Sequence, residues 1–169
     1  IRNILKNVAE GTISVDEAVL ELKKEPFEDL GFAKLDHHRA IRQGVAEVIY
    51  GAGKTPEQIE KIVAAMVKKG QKNVLITRMS EESATLMSKK LADTEIVFQY
   101  DTMSKIGIVG DIPRADGIGK IVVATGGTSD MPVAEEAALT AEVLGNEVVR
   151  LYDVGVAGLH RLLSHADEL

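Results

Sequence analysis

Two short segments carry the residue types from which a small-anion site is built. Gly126, Gly127, Thr128, Ser129 and Asp130 stand between an apolar run and the start of a helical pattern. A turn in that place offers unpaired backbone N–H groups and the positive end of a helix dipole, and both favour an anion. The glycines permit close backbone approach, while Thr128 and Ser129 add hydroxyl donors. Asp130 has two roles open to it: an N-cap that serves the helix alone, or a carboxylate that works on a ligand. The spacing matches neither the dinucleotide glycine fingerprint nor the P-loop.

The second segment is Asp153, Val154, Gly155, Val156, Ala157, Gly158, Leu159, His160 and Arg161. It follows a strand-like run, so it belongs on the same carboxyl edge of a sheet as the first turn, where ligands of open α/β sheets bind. His160 can exchange protons near neutral pH, and Arg161 can clamp a phosphate or carboxylate. A His-Arg pair also suits an ordinary solvated helical turn; the coincidence of two such loops on one edge is what favours a site. A third group, His37, His38, Arg39, Arg42 and Lys54, concentrates positive charge, with Gly51 and Gly53 as a flexible approach. It reads equally as an anion site or as the basic face of a helix.

The elements that must position these residues follow from periodicity. Residues 1–10 and 14–24 have apolar residues at helical spacing, with Ser14 and Glu17 as a capping box. Residues 32–36 and 46–50 read as strands, and Thr55 and Pro56 open a helix whose face carries Ile59, Ile62, Val63, Met66 and Val67. Strands are predicted at 73–77, 95–98 and 103–109, with a helix at 80–91. Such alternation predicts a parallel or mixed sheet covered on both faces. Residues 111–120, rich in Asp, Gly and Pro, read as a linker. Beyond it come a strand (121–125), the glycine turn, a helix (132–144), a strand (147–152) and a helix (158–165). With only these strands the last unit looks unfinished at Leu169 unless a partner completes it.

Composition narrows the function classes. With 169 residues and 45% apolar content the chain can bury a core. A net charge of −6 makes nucleic acid a poor partner, while leaving room for a small anionic metabolite held by local cations. The absence of cysteine excludes disulfides and thiolate chemistry within these residues and fits a reducing compartment. No apolar run is long enough to span a bilayer and no leader pattern is present, so cytoplasmic localisation and no membrane partner are expected. The four histidines lack ligand spacing, so no metal site is expected.

The run from Gly126 through Asp130, Met131 and Pro132, with His160 and Arg161, resembles the PurE-like carboxylases and mutases of aminoimidazole ribonucleotide metabolism. Leu35, Asp36, His37, His38 and Arg39, then Arg42, Gln43 and Gly44, and the run from Glu47 to Thr55 resemble the leading domain of one related family, LarB. LarB enzymes act in nickel-pincer cofactor biosynthesis. The run from Asp153 to Leu163 and the 132–144 helix are also similar to LarB. Ala46 departs from the resemblance, since proline is usual there.

The resemblance implies an α/β protein: an N-terminal helix pair (1–25), a LarB-type leading α/β domain (26–115), and the first half of a PurE-like, flavodoxin-like three-layer parallel-sheet domain (116–169), truncated at its C-terminus. It implies carboxylation of the pyridinium ring of nicotinic acid adenine dinucleotide, with phosphoanhydride hydrolysis, to give pyridinium-3,5-biscarboxylic acid mononucleotide and AMP. Asp130 and His160 would move protons, and Arg161 would hold a carboxylate or phosphate. Gly126, Gly127, Thr128, Ser129, Gly155 and Gly158 would line the substrate, and His38, Arg39, Arg42 and Lys54 are secondary candidates. Carbon dioxide or bicarbonate would be co-substrate, with no tightly bound cofactor, and Mg²⁺ would suit the pyrophosphate. The family also implies a homo-oligomer, an octamer, and a catalytic cysteine beyond the position of Leu169. The alternatives are an aminoimidazole ribonucleotide carboxylase or mutase relative, and a nucleotide-binding fragment without turnover.

Overall fold

The computed structural model describes residues 2–24, 27–36, 39 and 47–166. The chain divides into two compact units, Ile1–Glu47 and Val48–Leu169.

The first unit opens with helices α1 (Arg2–Ala9) and α2 (Val15–Lys24). The capping box forms as the sequence predicts: Ser14 Oγ accepts from Glu17 N at 3.1 Å, and the Glu17 carboxylate accepts from Ser14 N at 2.7 Å. The Ser14 backbone N–H, and after it the hydroxyl, hold the Glu17 carboxyl below its ordinary range. A strand that periodicity did not foresee, β1 (Phe27–Asp29), pairs antiparallel with β2 (Lys34–Asp36). The turn between them takes up residues 30–33, with Leu30 N donating to Ala33 O at 2.8 Å, so β2 is shorter than the expected 32–36. His37, His38, Arg42 and Ala46 lie outside the described residues.

In the second unit, helix α3 (Pro56–Lys68) starts where local chemistry dictates. Thr55 Oγ1 accepts from Gln58 N at 3.3 Å, Gln58 Oε1 accepts from Thr55 N at 3.0 Å, and Pro56 sits where no N–H is needed. Ile59, Ile62, Val63 and Met66 form its buried face. Helix α4 (Glu81–Leu91), capped by Ser80, adds buried Ala84 and Met87. Each large side chain removed from water contributes about 1.5–3 kcal/mol.

Four strands make one sheet in the order β3 (Ile49–Tyr50), β4 (Asn73–Thr77), β6 (Ile106–Gly110), β5 (Phe98–Asp101). The first pair is parallel and the others antiparallel, so the sheet is mixed. Val74, Leu75 and Ile76 are all buried, as a strand covered on both faces requires. The predicted strands at 95–98 and 103–109 prove to be the arms of one hairpin, shifted in bounds. Thr94 Oγ1 accepts from Ile96 N, which delays β5. Asp101 Oδ2 accepts from Ser104 N and Oγ at 2.7 and 2.6 Å, so the turn consumes residues 102–105.

Strand β7 (Lys120–Ala124), helix α5 (Met131–Val143) and strand β8 (Glu147–Leu151) form a parallel β-α-β unit, in register from Lys120 opposite Glu147 to Ala124 opposite Leu151. Helix α5 packs on β7 and β8 and also on β4. Its Val143 and Leu139 meet Leu75, Ile106 and Ile108 of the four-stranded sheet. Buried Ala134 and Ala138 keep the helix slim enough for contact on both sides. A single 3₁₀ turn (Val156–Gly158) and the short helix α6 (Leu159–Leu163) follow β8, where periodicity predicts one longer helix.

Candidate functional site

Thr125 continues β7 into the first turn and ties it to the second segment. Its N–H donates to Leu151 O at 3.0 Å, its carbonyl accepts from Val154 N at 2.9 Å, and its hydroxyl accepts from Asp153 N at 3.0 Å. Thr125 and Val154 are buried, so these bonds form away from water. One residue further on the backbones meet: a Cβ on Gly155 would stand 2.3 Å from Gly126 O. No side chain but hydrogen fits there, which explains Gly155. The two segments expected on one sheet edge are thus joined directly.

Gly127 is extended, and residues Thr128–Asp130 form a 3₁₀ turn that runs straight into α5. Asp130 takes helical dihedrals and makes no side-chain capping bond. Of the two roles open to it, capping is the one it does not perform. Its carboxylate is exposed, as are Thr128 and Ser129, at the amino end of a thirteen-residue helix.

His160 is exposed on α6. Arg161 is committed on one side: Nη1 donates to Asp153 Oδ2 at 2.5 Å, with the side chains 38% and 46% exposed. Its Nε stands 2.7 Å from where a Cβ on Gly158 would be, so the guanidinium lies back across the glycine and would have to shift if a side chain stood there. Asp153 itself sits at φ 60, a left-handed conformation that Asp tolerates better than most side chains.

Sequence reasoning missed a polar cluster beside this edge. Arg150 Nη2 donates to Glu135 at 2.9 Å, Arg150 Nη1 donates to Glu142 at 2.5 Å, and the Tyr152 hydroxyl donates to Glu135. Partial burial works against the Glu135 charge, but the bonds from Arg150 and Tyr152 and the nearby positive charge outweigh it, holding its carboxyl below the ordinary range. Glu142, then Glu135, keep Arg150 protonated more firmly than water would. Burial first, then the Glu135 carboxylate, pushes Tyr152 up to about 12. The signal was available: Glu135 and Glu142 are seven apart on one helix face, and Tyr152, just past the end of β8, is two residues from Arg150 and so shares its side of the extended chain.

Lys54 Nζ donates to the Tyr50 carbonyl at 2.7 Å, at the end of β3. Gly51 is a packing residue and not a flexible approach, since a Cβ there would stand 2.9 Å from Thr77 O. Arg39 is exposed in the first unit, and His38 and Arg42 lie outside the described residues.

Among the described residues no group of three or more His, Asp or Glu is placed to hold a metal ion. Nor is any helix among them long and apolar enough to cross a membrane.

Comparison with known proteins bears on both parts of the chain. The family described as the LarB/PurE-like N-terminal domain matches residues 27–111. An uncharacterized protein of Methanocaldococcus jannaschii is 35% identical over 167 residues, covering 96% of this chain. That match takes in the glycine turn and the Asp153–Arg161 segment, while the chain spans 64% of the archaeal protein's length. With the leading-domain match across residues 27–111 and the mixed α/β fold described above, the chain belongs to the LarB/PurE-like family.

Proposed function

We propose that this chain supplies the nucleotide-holding part of a LarB-type carboxylase and hydrolase site, with nicotinic acid adenine dinucleotide as substrate. The observation that carries the reading is the Asp130 carboxylate, which caps nothing and stands on a glycine turn locked to the loop bearing Arg161. The ribose phosphate would lie against Gly126, Gly127, Thr128 and Ser129, where backbone N–H groups and hydroxyls donate. Arg161 would hold a carboxylate or phosphate with the N–H groups that Asp153 leaves uncommitted.

In carboxylation the pyridinium ring carbon forms a bond to carbon dioxide and loses its proton, which Asp130 or His160 would accept. In the hydrolytic step water adds to the phosphoanhydride and AMP departs. A Mg²⁺ ion bound mainly by pyrophosphate needs one or two protein carboxylates, and the uncommitted Asp130 fits that demand. When bound, it would neutralise developing charge on the phosphates. The covalent step that the resemblance attributes to a cysteine has no residue among these 169 to carry it. Homo-oligomer formation and a cytoplasmic setting belong to the same reading.

The experiment is to incubate the full-length protein with nicotinic acid adenine dinucleotide and bicarbonate and to seek the dicarboxylated mononucleotide and AMP by mass spectrometry. Turnover of aminoimidazole ribonucleotide in their place would reverse the assignment. A second reading is a nucleotide-binding module without turnover, for which calorimetry would show dinucleotide binding and no product.

A further inference from the structure

Arg161 is a long side chain on a five-residue helix, yet it is held from two sides. Gly158 lets the guanidinium lie back across the backbone, and Asp153 takes its Nη1 at 2.5 Å. Asp153 is in turn held: its N–H is bonded to the buried Thr125 at 3.0 Å, and its backbone takes the left-handed conformation. The chain of contacts therefore runs from the end of β7, through Thr125 and Asp153, to Arg161.

We propose that Asp153 is the positioning residue of the anion-binding Arg161, fixing its guanidinium relative to the glycine turn while leaving the other N–H groups for the ligand. The proposal rests on the nucleotide-site reading above. An unheld arginine loses much rotamer freedom when it grips an anion, and an arginine already in place does not. Asp153 also brings a negative charge, which by itself would repel the same anion. Both side chains are substantially exposed, so solvent weakens that repulsion and the ion pair alike, and the two effects are separated by substitution.

Asp153→Gly and Asp153→Asn separate the two effects, since both residues accept the left-handed backbone. Glycine removes the carboxylate; asparagine keeps an oxygen that can accept from Arg161. In the full chain, calorimetry with nicotinic acid adenine dinucleotide is expected to show binding weakened about five- to tenfold in D153G and within about twofold of wild type in D153N. D153G should add nothing in an Arg161→Ala background. Nitrogen relaxation at the Arg161 Nε–H supplies a reading without ligand: ordered in wild type and D153N, mobile in D153G.

Equal Nε–H mobility in wild type and D153G would overturn the proposal. So would tighter binding by D153G, the mark of a merely competing charge. If R161A weakens binding and D153G does not, the proposal falls and the nucleotide site stands. If wild type and R161A bind alike, the nucleotide site falls, and the relaxation measurement alone decides whether Asp153 orders Arg161.

Discussion

Gly155 rests on Gly126 so closely that a Cβ on the former would come within 2.3 Å of the carbonyl oxygen of the latter. The obstacle is backbone, which cannot swing aside as a side-chain end can. Gly155→Ala should therefore destabilise the second unit by about 1–3 kcal/mol, the usual range for forced overpacking. A lower urea midpoint at unchanged slope is the expected signature, and an unchanged midpoint would show that the two loops part at little cost.

Thr125 tests the same junction through its hydroxyl. Thr125→Val keeps the shape but leaves the Asp153 N–H without its acceptor, a loss of about 1–3 kcal/mol for a donor away from water. Thr125→Ser retains the acceptor and should cost less than Thr125→Val in the same urea titration. Equal losses in the two variants would assign the effect to packing.

Asp130 makes no capping bond, so Asp130→Asn should leave unfolding within about 0.5 kcal/mol of wild type. Nucleotide turnover by the full-length protein should nevertheless fall by about a hundredfold or more if Asp130 moves a proton. A stability loss near 1 kcal/mol with turnover intact would return Asp130 to a capping role.

The Glu135, Arg150 and Tyr152 cluster predicts a pH window. The Glu135 carboxyl is lowered in the folded chain from 4.5, so its contribution is present above that value and is lost as pH falls through the folded pKa. Tyr152 is raised from 10.0 to about 12, so its contribution is complete below 10.0 and is lost as pH rises towards 12. Chemical denaturation across pH should show both shoulders, and Tyr152→Phe should remove the tyrosine contribution to the alkaline one. A Tyr152→Phe profile identical to wild type above pH 10.0 would place that loss elsewhere.

Arg150 stands between two carboxylates, and taking its charge away leaves them without their shared donor. Arg150→Met should destabilise the fold by about 1–3 kcal/mol, most strongly above the carboxylate range and less at low pH. Arg150→Lys should recover only part of this, because one ammonium cannot reproduce the paired guanidinium bonds. A loss independent of pH would mean that stem packing, not charge, is what Arg150 supplies.

The amino-acid sequence by itself determined whatever depends on neighbours a few residues apart. The Ser14–Glu17 and Thr55–Gln58 boxes, the apolar face of α3 and the succession β7, glycine turn, α5, β8 all follow from local hydrogen bonding and periodicity. The same locality put the two candidate segments on one carboxyl edge, since a turn after each of two parallel strands must lie on one edge.

Tertiary structure alone decided which distant residues meet. That the 98–101 and 106–110 strands form an antiparallel hairpin depended on one turn bonded by Asp101. That Asp130 does not cap, that Arg161 turns to Asp153, and that Arg150 falls between Glu135 and Glu142 depended on the register of β8 beside β7 and the seat of α5. Such contacts cost loop-closure entropy repaid only when a whole layer packs, so no short window of sequence contains them.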